Sequence, residues 1–174
     1  MRFSMRDSGR RILMALAMAG FMMVLFVGCG GDPYADKYTR IHPESKIFEG
    51  EWSLTGWTMK IGQALPSPSP RIVFQGDGSF KAANYPGEAL GGFGTLGSFY
   101  GGEGTWSVGS HQGFWVIHIH WQRLGDKKLD YGEMLHIINN QQPYVLHHII
   151  GDPDSGESLV FEKAHLQKEK GHSP

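Results

Sequence analysis

Imidazole side chains are concentrated in the second half of the chain. His118 and His120 alternate along one predicted strand, so both project from the same face. Adjacent antiparallel strands would bring His136 and one of His147 and His148 beside them, because consecutive residues face opposite ways. Three imidazoles grouped in this way bind zinc or copper. His118, His120, His136 and His148 are therefore candidate ligands of a divalent metal; the alternative is His scattered over a solvated sheet face or lining a pocket.

Aromatic side chains are dense for a chain of this size. In a β-barrel they either fill the core or line a cavity for an apolar small molecule, since a barrel of about eight strands can hold one ligand. Both outcomes stay open. The candidate ligand-binding residues are Trp106, Trp115, Trp121, Tyr131 and Tyr144.

Two further motif-like stretches are better explained as turns than as binding sites. Residues 92–97 satisfy G-x-G-x-x-G, but the flanks are Gly-rich rather than a strand and a helix. Residues 152–157 alternate oxygen ligands without the length or flanking helices of an EF-hand. No G-x-S-x-G or H-E-x-x-H motif occurs in the sequence. We expect no enzymatic activity and no cofactor other than a covalent lipid or, if the imidazoles meet, a divalent metal.

The elements that must position these residues are strands. From Trp115 to Trp121, Trp and Ile alternate with Val and His, which is the period of a half-buried strand. Other short apolar runs, each bounded by Gly, Pro, Asn or Asp, predict further strands separated by turns. The predicted strands are 48–61, 71–75, 79–84, 104–108, 114–123, 128–138, 144–150 and 158–164. The sequence predicts an all-β, antiparallel meander of about eight strands, closed as a barrel or packed as a sandwich.

Two long connections interrupt the predicted meander. Residues 62–70 contain Pro66, Pro68 and Pro70, which predict a stiff loop. Residues 86–102 are rich in Gly and predict a flexible loop. A lid that gates a ligand and a loop without a binding role are equally compatible with this composition.

The N-terminus has the pattern of an export signal. Four Arg residues precede an uncharged apolar run over residues 12–27, which is slightly shorter than a membrane-spanning helix needs. Leu25-Phe26-Val27-Gly28-Cys29 resembles the lipobox of bacterial lipoproteins. The resemblance implies cleavage between Gly28 and Cys29 and acylation of Cys29, the one Cys in the chain.

This interpretation divides the chain into four parts. We expect a signal peptide at 1–28, a flexible tether from the lipidated Cys at 29–46, a β domain at 47–165 and a charged tail at 166–174. In Gram-negative lipoproteins an Asp after the Cys marks retention in the inner membrane. Gly30 stands there, so the resemblance implies the outer membrane, facing the periplasm.

The net charge of the mature chain limits the classes of partner that we expect it to bind. The leader holds four of the 16 Lys and Arg and one of the 17 Asp and Glu, so the mature chain is net acidic. Without a basic stripe we expect no nucleic-acid binding. Membrane contact is expected through the acyl chains.

Gly50-Glu51-Trp52 resembles the G-x-W signature of lipocalin and lipocalin-like barrels, in which the Trp closes one end. Residues 104–106 and 77–80 are similar to phrases of bacterial lipocalin-like lipoproteins, and the resemblance spans 48–164. No Arg follows Arg123, so the last-strand Arg that packs over this Trp in lipocalins is missing unless Lys163 takes its place.

These observations give one leading hypothesis and two alternatives. The first is a lipid-anchored envelope lipoprotein whose lipocalin-like barrel binds a small apolar ligand without catalysis. The second is an envelope interaction module with a solid barrel, whose loops contact another protein or the cell wall. The third is a His-based divalent metal binder or enzyme.

Overall fold

A computed structural model describes residues 34, 36–58 and 67–164, and within these ranges the chain forms a closed, all-antiparallel β-barrel. Its strands follow sequence order, each pairs with the next, and the last pairs with the first. The predicted eight-stranded lipocalin-like barrel is confirmed. The strands are β1 (Gly50–Thr58), β2 (Arg71–Phe74), β3 (Ser79–Pro86), β4 (Phe99–His111), β5 (Phe114–Leu124), β6 (Lys127–Ile138), β7 (Val145–Ile149) and β8 (Ser158–Lys163).

Strand β5 shows why the alternating pattern produces a barrel wall. Ile117, Ile119 and Trp121 are buried in the interior, while His118 and His120 between them face outward. Burying such side chains contributes about 1.5–3 kcal/mol each, so alternation fixes which face of the strand lies inward.

One end of the barrel is closed by the chain segment that precedes β1. A short 3₁₀ helix (Ser45–Phe48) inserts Phe48 beneath Trp52, and both side chains are buried. The Trp52 indole N–H donates to the Phe48 carbonyl at 2.8 Å. Lys163, at the end of β8, lies over the Trp52 ring at 5.9 Å, and its ammonium donates to the Ile47 carbonyl. Lys163 therefore occupies the place that the lipocalin resemblance gives to an Arg. We call this the closed end.

The segment before the 3₁₀ helix is attached to the wall, although it falls within the predicted tether. Thr39 donates its N–H to the Ile137 carbonyl at 2.8 Å and accepts from the Trp115 N–H at 2.9 Å. Tyr38 forms a β-bridge with Ile138. The polar, Pro-containing composition of this stretch concealed two residues that continue the sheet where β5 begins.

The opposite end, which we call the open end, carries the end of β1, the start of β2, the β3–β4 and β7–β8 connections and the β5–β6 turn. Within the β3–β4 connection, a second 3₁₀ helix (Gly87–Leu90) buries Ala89 and Leu90 against the core. A third (Pro153–Ser155) lies between β7 and β8. Over the ranges that the structure describes, no helix has the length and apolarity needed to cross a membrane.

The predicted flexible loop at 86–102 is wrong in two places. Its first residues form the buried second 3₁₀ helix, and its last belong to β4, which begins at Phe99 rather than at Gly104. Gly102 is needed there for space, because a Cβ would lie 2.5 Å from the Trp121 ring. The glycines of this strand thus admit bulky neighbours and do not indicate flexibility.

Candidate functional site

The barrel wall parts at the open end between β6 and β7. The two strands pair only from Ile138–Val145 to His136–His147, at the closed end, and then diverge. A cleft of about 590 Å³ lies in the gap, bounded by β6, the second 3₁₀ helix with its following turn, and the β7–β8 connection. Its apolar lining residues are Ala89, Tyr131, Met134, Ile149 and Ile150. Its polar ones are Glu88, Glu133, His136, His148, Asp152, Ser155 and Glu157.

Three buried polar side chains meet at the floor of the cleft. Tyr85 Oη lies 2.8 Å from His148 Nδ1 and 3.4 Å from Glu133 Oε2. His148 Nε2 is 4.0 Å from the same Glu133 oxygen. When the single hydroxyl proton of Tyr85 donates to Glu133, the oxygen accepts from the Nδ1–H of His148. The three groups therefore form one connected polar cluster inside an apolar barrel.

Each member of the cluster comes from a different strand. Glu133 and His148 occupy inward positions of β6 and β7. Tyr85 reaches the interior because the β3–β4 register shifts between Ala82 and Tyr85, where Asn84 has a positive φ of 53°. The bulge turns the tyrosine ring inward, and it stacks on Phe161 across the barrel at 6.1 Å. Bulges are over-represented at the rims of barrels and beside functional sites.

Burial decides the charge of the cluster. It raises the pKa of Glu133 to about 8, although the nearby Trp121 indole and Tyr85 hydroxyl favour the carboxylate. Burial, with the neighbouring His147 and His136, lowers the pKa of His148 to about 3. Burial and Glu133 raise the pKa of Tyr85. At neutral pH the cluster is therefore mostly uncharged, with His148 as neutral imidazole and Glu133 mainly as carboxylic acid.

Two polar atoms at this floor lack a partner among the described residues. Glu133 Oε1 and Trp121 Nε1 are both buried and accept or donate no hydrogen bond. The indole faces the carboxyl group closely enough to influence its pKa, yet not with hydrogen-bond geometry. Buried polar atoms are nearly always bonded, so these two adjacent exceptions make the floor of the cleft the candidate site.

The predicted aromatic ligand-binding residues are divided between the two ends. Tyr131 lines the cleft, and its hydroxyl abuts Gly91, where a Cβ would not fit. Trp121 is fully buried behind the cleft floor. Trp106 packs on Phe74 towards the closed end.

The remaining two candidates also lie towards the closed end. Tyr144 contacts Phe48 at 5.5 Å between ring centroids, and Trp115 contacts His42 at 4.1 Å. Filling of the core is thus the role of most of these rings, and Tyr131 alone of the five predicted residues lines the cleft.

The candidate metal ligands do not come together. His118 and His120 project from the outer wall, where His120 pairs with Asp130 at 3.1 Å. His136 is also outward and stacks under Tyr38 at 4.2 Å, whereas His148 points inward. The register places His147, not His148, opposite His136. The described residues contain no group of three or more His, Cys, Asp or Glu arranged for a metal.

The two motif-like stretches form turns at the rim of the cleft. Residues 92–97 lie between the second 3₁₀ helix and β4, and Phe93 packs on Tyr131 at 4.9 Å. Asp152 accepts the N–H of Asp154 at 3.0 Å, which is the turn chemistry that Asp and Pro favour.

Glu133 and Tyr85 were not among the predicted site residues. The signal for Glu133 was present, because the inward positions of β6 read Leu129, Tyr131, Glu133, Leu135 and Ile137. One carboxyl group in an otherwise apolar series marks a buried ionisable residue. Tyr85 had no comparable signal, since only the bulge in β3 makes it face inward.

Gly28 and Cys29, the predicted cleavage and lipidation residues, lie outside the described residues, as does the predicted charged tail. No protein-family model, no curated protein sequence and no solved structure matches this chain.

Proposed function

We propose that the protein is a lipid-anchored envelope lipoprotein whose β-barrel binds a small ligand in the open-end cleft without catalysing a reaction. In a Gram-negative cell it would lie on the outer membrane and face the periplasm. The proposal joins the export signal and lipobox-like sequence at Cys29 to the architecture of the barrel.

The cleft with its buried polar floor carries the proposal. Its volume of about 590 Å³ falls within the range of roughly 300–1,000 Å³ that small-molecule sites occupy. Such sites combine apolar walls with a few placed polar groups, and here Tyr131, Met134 and Ile150 line the same cleft as Glu133. The ligand we propose is thus small and largely apolar, with one polar end.

Ligand binding is tested by native mass spectrometry of the full chain, purified from the cells that express it. We expect a small molecule that is retained in gentle conditions and released on unfolding. Ser155→Trp places an indole in the cleft and should abolish retention, while Asp126→Trp, on the exposed β5–β6 turn, should leave it intact. An empty wild-type protein that also fails to take up an apolar fluorescent dye would contradict the proposal.

Anchoring is tested separately by metabolic labelling with a radioactive fatty acid. The wild-type chain should incorporate label and fractionate with membranes, and Cys29→Ser should lose both properties. An exported product with an unmodified thiol at Cys29 would show that the anchoring part of the proposal is wrong.

A further inference from the structure

We propose that the cleft selects ligands in which a protonated primary amine terminates an apolar body, and that Glu133 is the residue that binds the amine. This inference rests on the proposed function, because it names the ligand class of the same site. It follows from the unpartnered acceptor, the charge of the lining and the aromatic rim.

The first observation is an unsatisfied acceptor in a residue that lines the cleft. The Glu133 side chain is 2% exposed, and Oε2 accepts from Tyr85 while Oε1 has no partner within the described residues. A ligand N–H that reached Oε1 would satisfy it. Charge-assisted hydrogen bonds from an ammonium to a carboxylate are about twice as strong as neutral ones, which favours an amine over a hydroxyl group.

The second observation is the sign of the charge around the cleft. Among the described residues that line it, the ionisable acids are Glu88, Glu133, Asp152 and Glu157, and none is Lys or Arg. His148 lies at the floor as neutral imidazole. A concave site bordered by carboxylates concentrates cations and repels anions, so a fatty acid is disfavoured.

The third observation is the aromatic rim. Tyr131 lines the cleft directly above Glu133 on the same strand, and Phe93 packs on it while remaining 52% exposed. Ring faces beside a carboxylate suit both the charge of an ammonium group and an apolar chain attached to it. The rim thus accommodates the body of the ligand while the floor receives its amine.

Binding of an ammonium group requires a carboxylate, so Glu133 must lose its proton to solvent when the ligand enters. The groups that face it are Tyr85 from β3, Trp121 from β5, His148 from β7 and Tyr131 on its own strand, and none supplies a positive charge at neutral pH. One proton is therefore released for each amine bound below the pKa of about 8. Affinity should rise by about tenfold per pH unit from pH 6 to pH 8 and then level off.

The test compares octylamine, octanol and octanoate by isothermal titration calorimetry with the purified full chain. At pH 8.5 we expect octylamine to bind at least about tenfold more tightly than octanol, and octanoate most weakly. Titration at pH 7 in buffers of different ionisation enthalpy should show release of nearly one proton with octylamine and none with octanol.

Variants assign the effect to one carboxylate. Glu133→Gln should remove the preference for octylamine and leave octanol affinity within about threefold. Glu103→Gln is the matched control, because Glu103 pairs with Arg123 at 3.5 Å on the outer wall, and it should change neither affinity. The pH dependence of the wild-type protein provides a second test that needs no variant.

The outcomes separate this inference from the proposed function. If octanol or octanoate binds as tightly as octylamine, or if octylamine affinity is independent of pH, the amine assignment is wrong and ligand binding in the cleft stands. If none of the three binds and the purified protein carries no small molecule, both proposals are wrong.

Discussion

The two ends of the barrel are built from the same eight strands but treat their polar groups in opposite ways. At the closed end, the Trp52 indole donates to the Phe48 carbonyl, and Lys163 donates to the Ile47 carbonyl over the Trp52 ring. At the open end, Glu133 and Trp121 each bury a polar atom that has no partner among the described residues. The closed end is therefore optimised for stability and the open end is not.

This difference marks where the barrel gives up stability, as expected if the proposed ligand site lies at the open end. An unsatisfied buried acceptor costs about 1–3 kcal/mol, and Glu133 keeps one such oxygen although its other oxygen accepts from Tyr85. Proteins tolerate such costs at functional sites, where substitutions that stabilise the fold commonly impair function. Removing the partnered groups of the closed end should accordingly lower the free energy of unfolding, whereas replacing Glu133 by an apolar residue should raise it.

The largest effect is expected at Trp52. Trp52→Ala removes a fully buried indole and its hydrogen bond to Phe48, and should lower the free energy of unfolding by about 3–5 kcal/mol in urea titrations at pH 7. Tyr131→Ala at the open end removes a half-buried ring and should cost less than about 1.5 kcal/mol. Equal losses at the two positions would abolish the contrast between the ends.

A substitution at Glu133 should have the opposite sign. Glu133→Met keeps a similar volume without the unpartnered carboxyl oxygen, and should raise the free energy of unfolding at pH 7.5 by about 1–3 kcal/mol. Thermal and urea unfolding measure the change, with Glu103→Met on the outer wall as a control within about 0.5 kcal/mol. A destabilised Glu133→Met protein would mean that the bond from Tyr85 outweighs the burial of the carboxyl group.

The pH dependence of stability sharpens the contrast further. Between pH 4.5 and 8 the unfolded chain has released the Glu133 proton that the folded chain keeps, so stability falls as pH rises. His148 acts in the opposite direction between pH 3 and 6.5, because the unfolded chain binds a proton that the folded chain excludes. The two nearly cancel from pH 4.5 to 6.5.

Above pH 6.5 only the Glu133 effect remains. We expect the free energy of unfolding to fall by about 2 kcal/mol from pH 6.5 to 8, and this fall to disappear in Glu133→Gln. Urea titrations at four pH values in this window measure the slope for both proteins. Identical slopes would show that Glu133 is already ionised in the folded protein.

The smallest effect is expected at Lys163. Lys163→Met removes the ammonium above Trp52 and the bond to Ile47, and should destabilise the barrel by about 1 kcal/mol. Lys163→Arg should retain most of the stability, since a guanidinium group also donates and stacks on an indole. If Arg were no better than Met in thermal unfolding, the cation would have no part in closing this end.

Most of the fold could be predicted from local patterns. The alternation in Trp115 to Trp121 and the turn at Asp77-Gly78 fix strand positions, because each depends on residues that are close in sequence. The start of β4 could not be predicted from local patterns, because Gly102 is required by the Trp121 ring on another strand. The pairing of Tyr38 and Thr39 with β6 is likewise a contact between distant parts of the chain.

The site was less accessible to sequence reasoning for the same reason. Tyr131 was found by residue type, and Glu133 could have been found as the one carboxyl group in an apolar series. The prediction that His148 lies beside His136 was wrong, because the pairing register of two strands cannot be read from their sequences. The register of β6 and β7 places His147 opposite His136. The inward orientation of Tyr85 depends on a bulge that the sequence of β3 does not predict.

The short pairing between β6 and β7, which we call the seam, is the place where the barrel wall can open most easily. On its other side β6 pairs with β5 along nearly its whole length, from Val116–His136 to Leu124–Lys127, whereas its pairing with β7 ends at His136. Opening along the seam breaks few backbone bonds, so we expect β7 and residues 150–157 to swing outward as a flap while the far end stays shut. If the proposed site binds a ligand, its entry would depend on how often this flap opens. The backbone amides of the flap should exchange with deuterium sooner than those between β4 and β5.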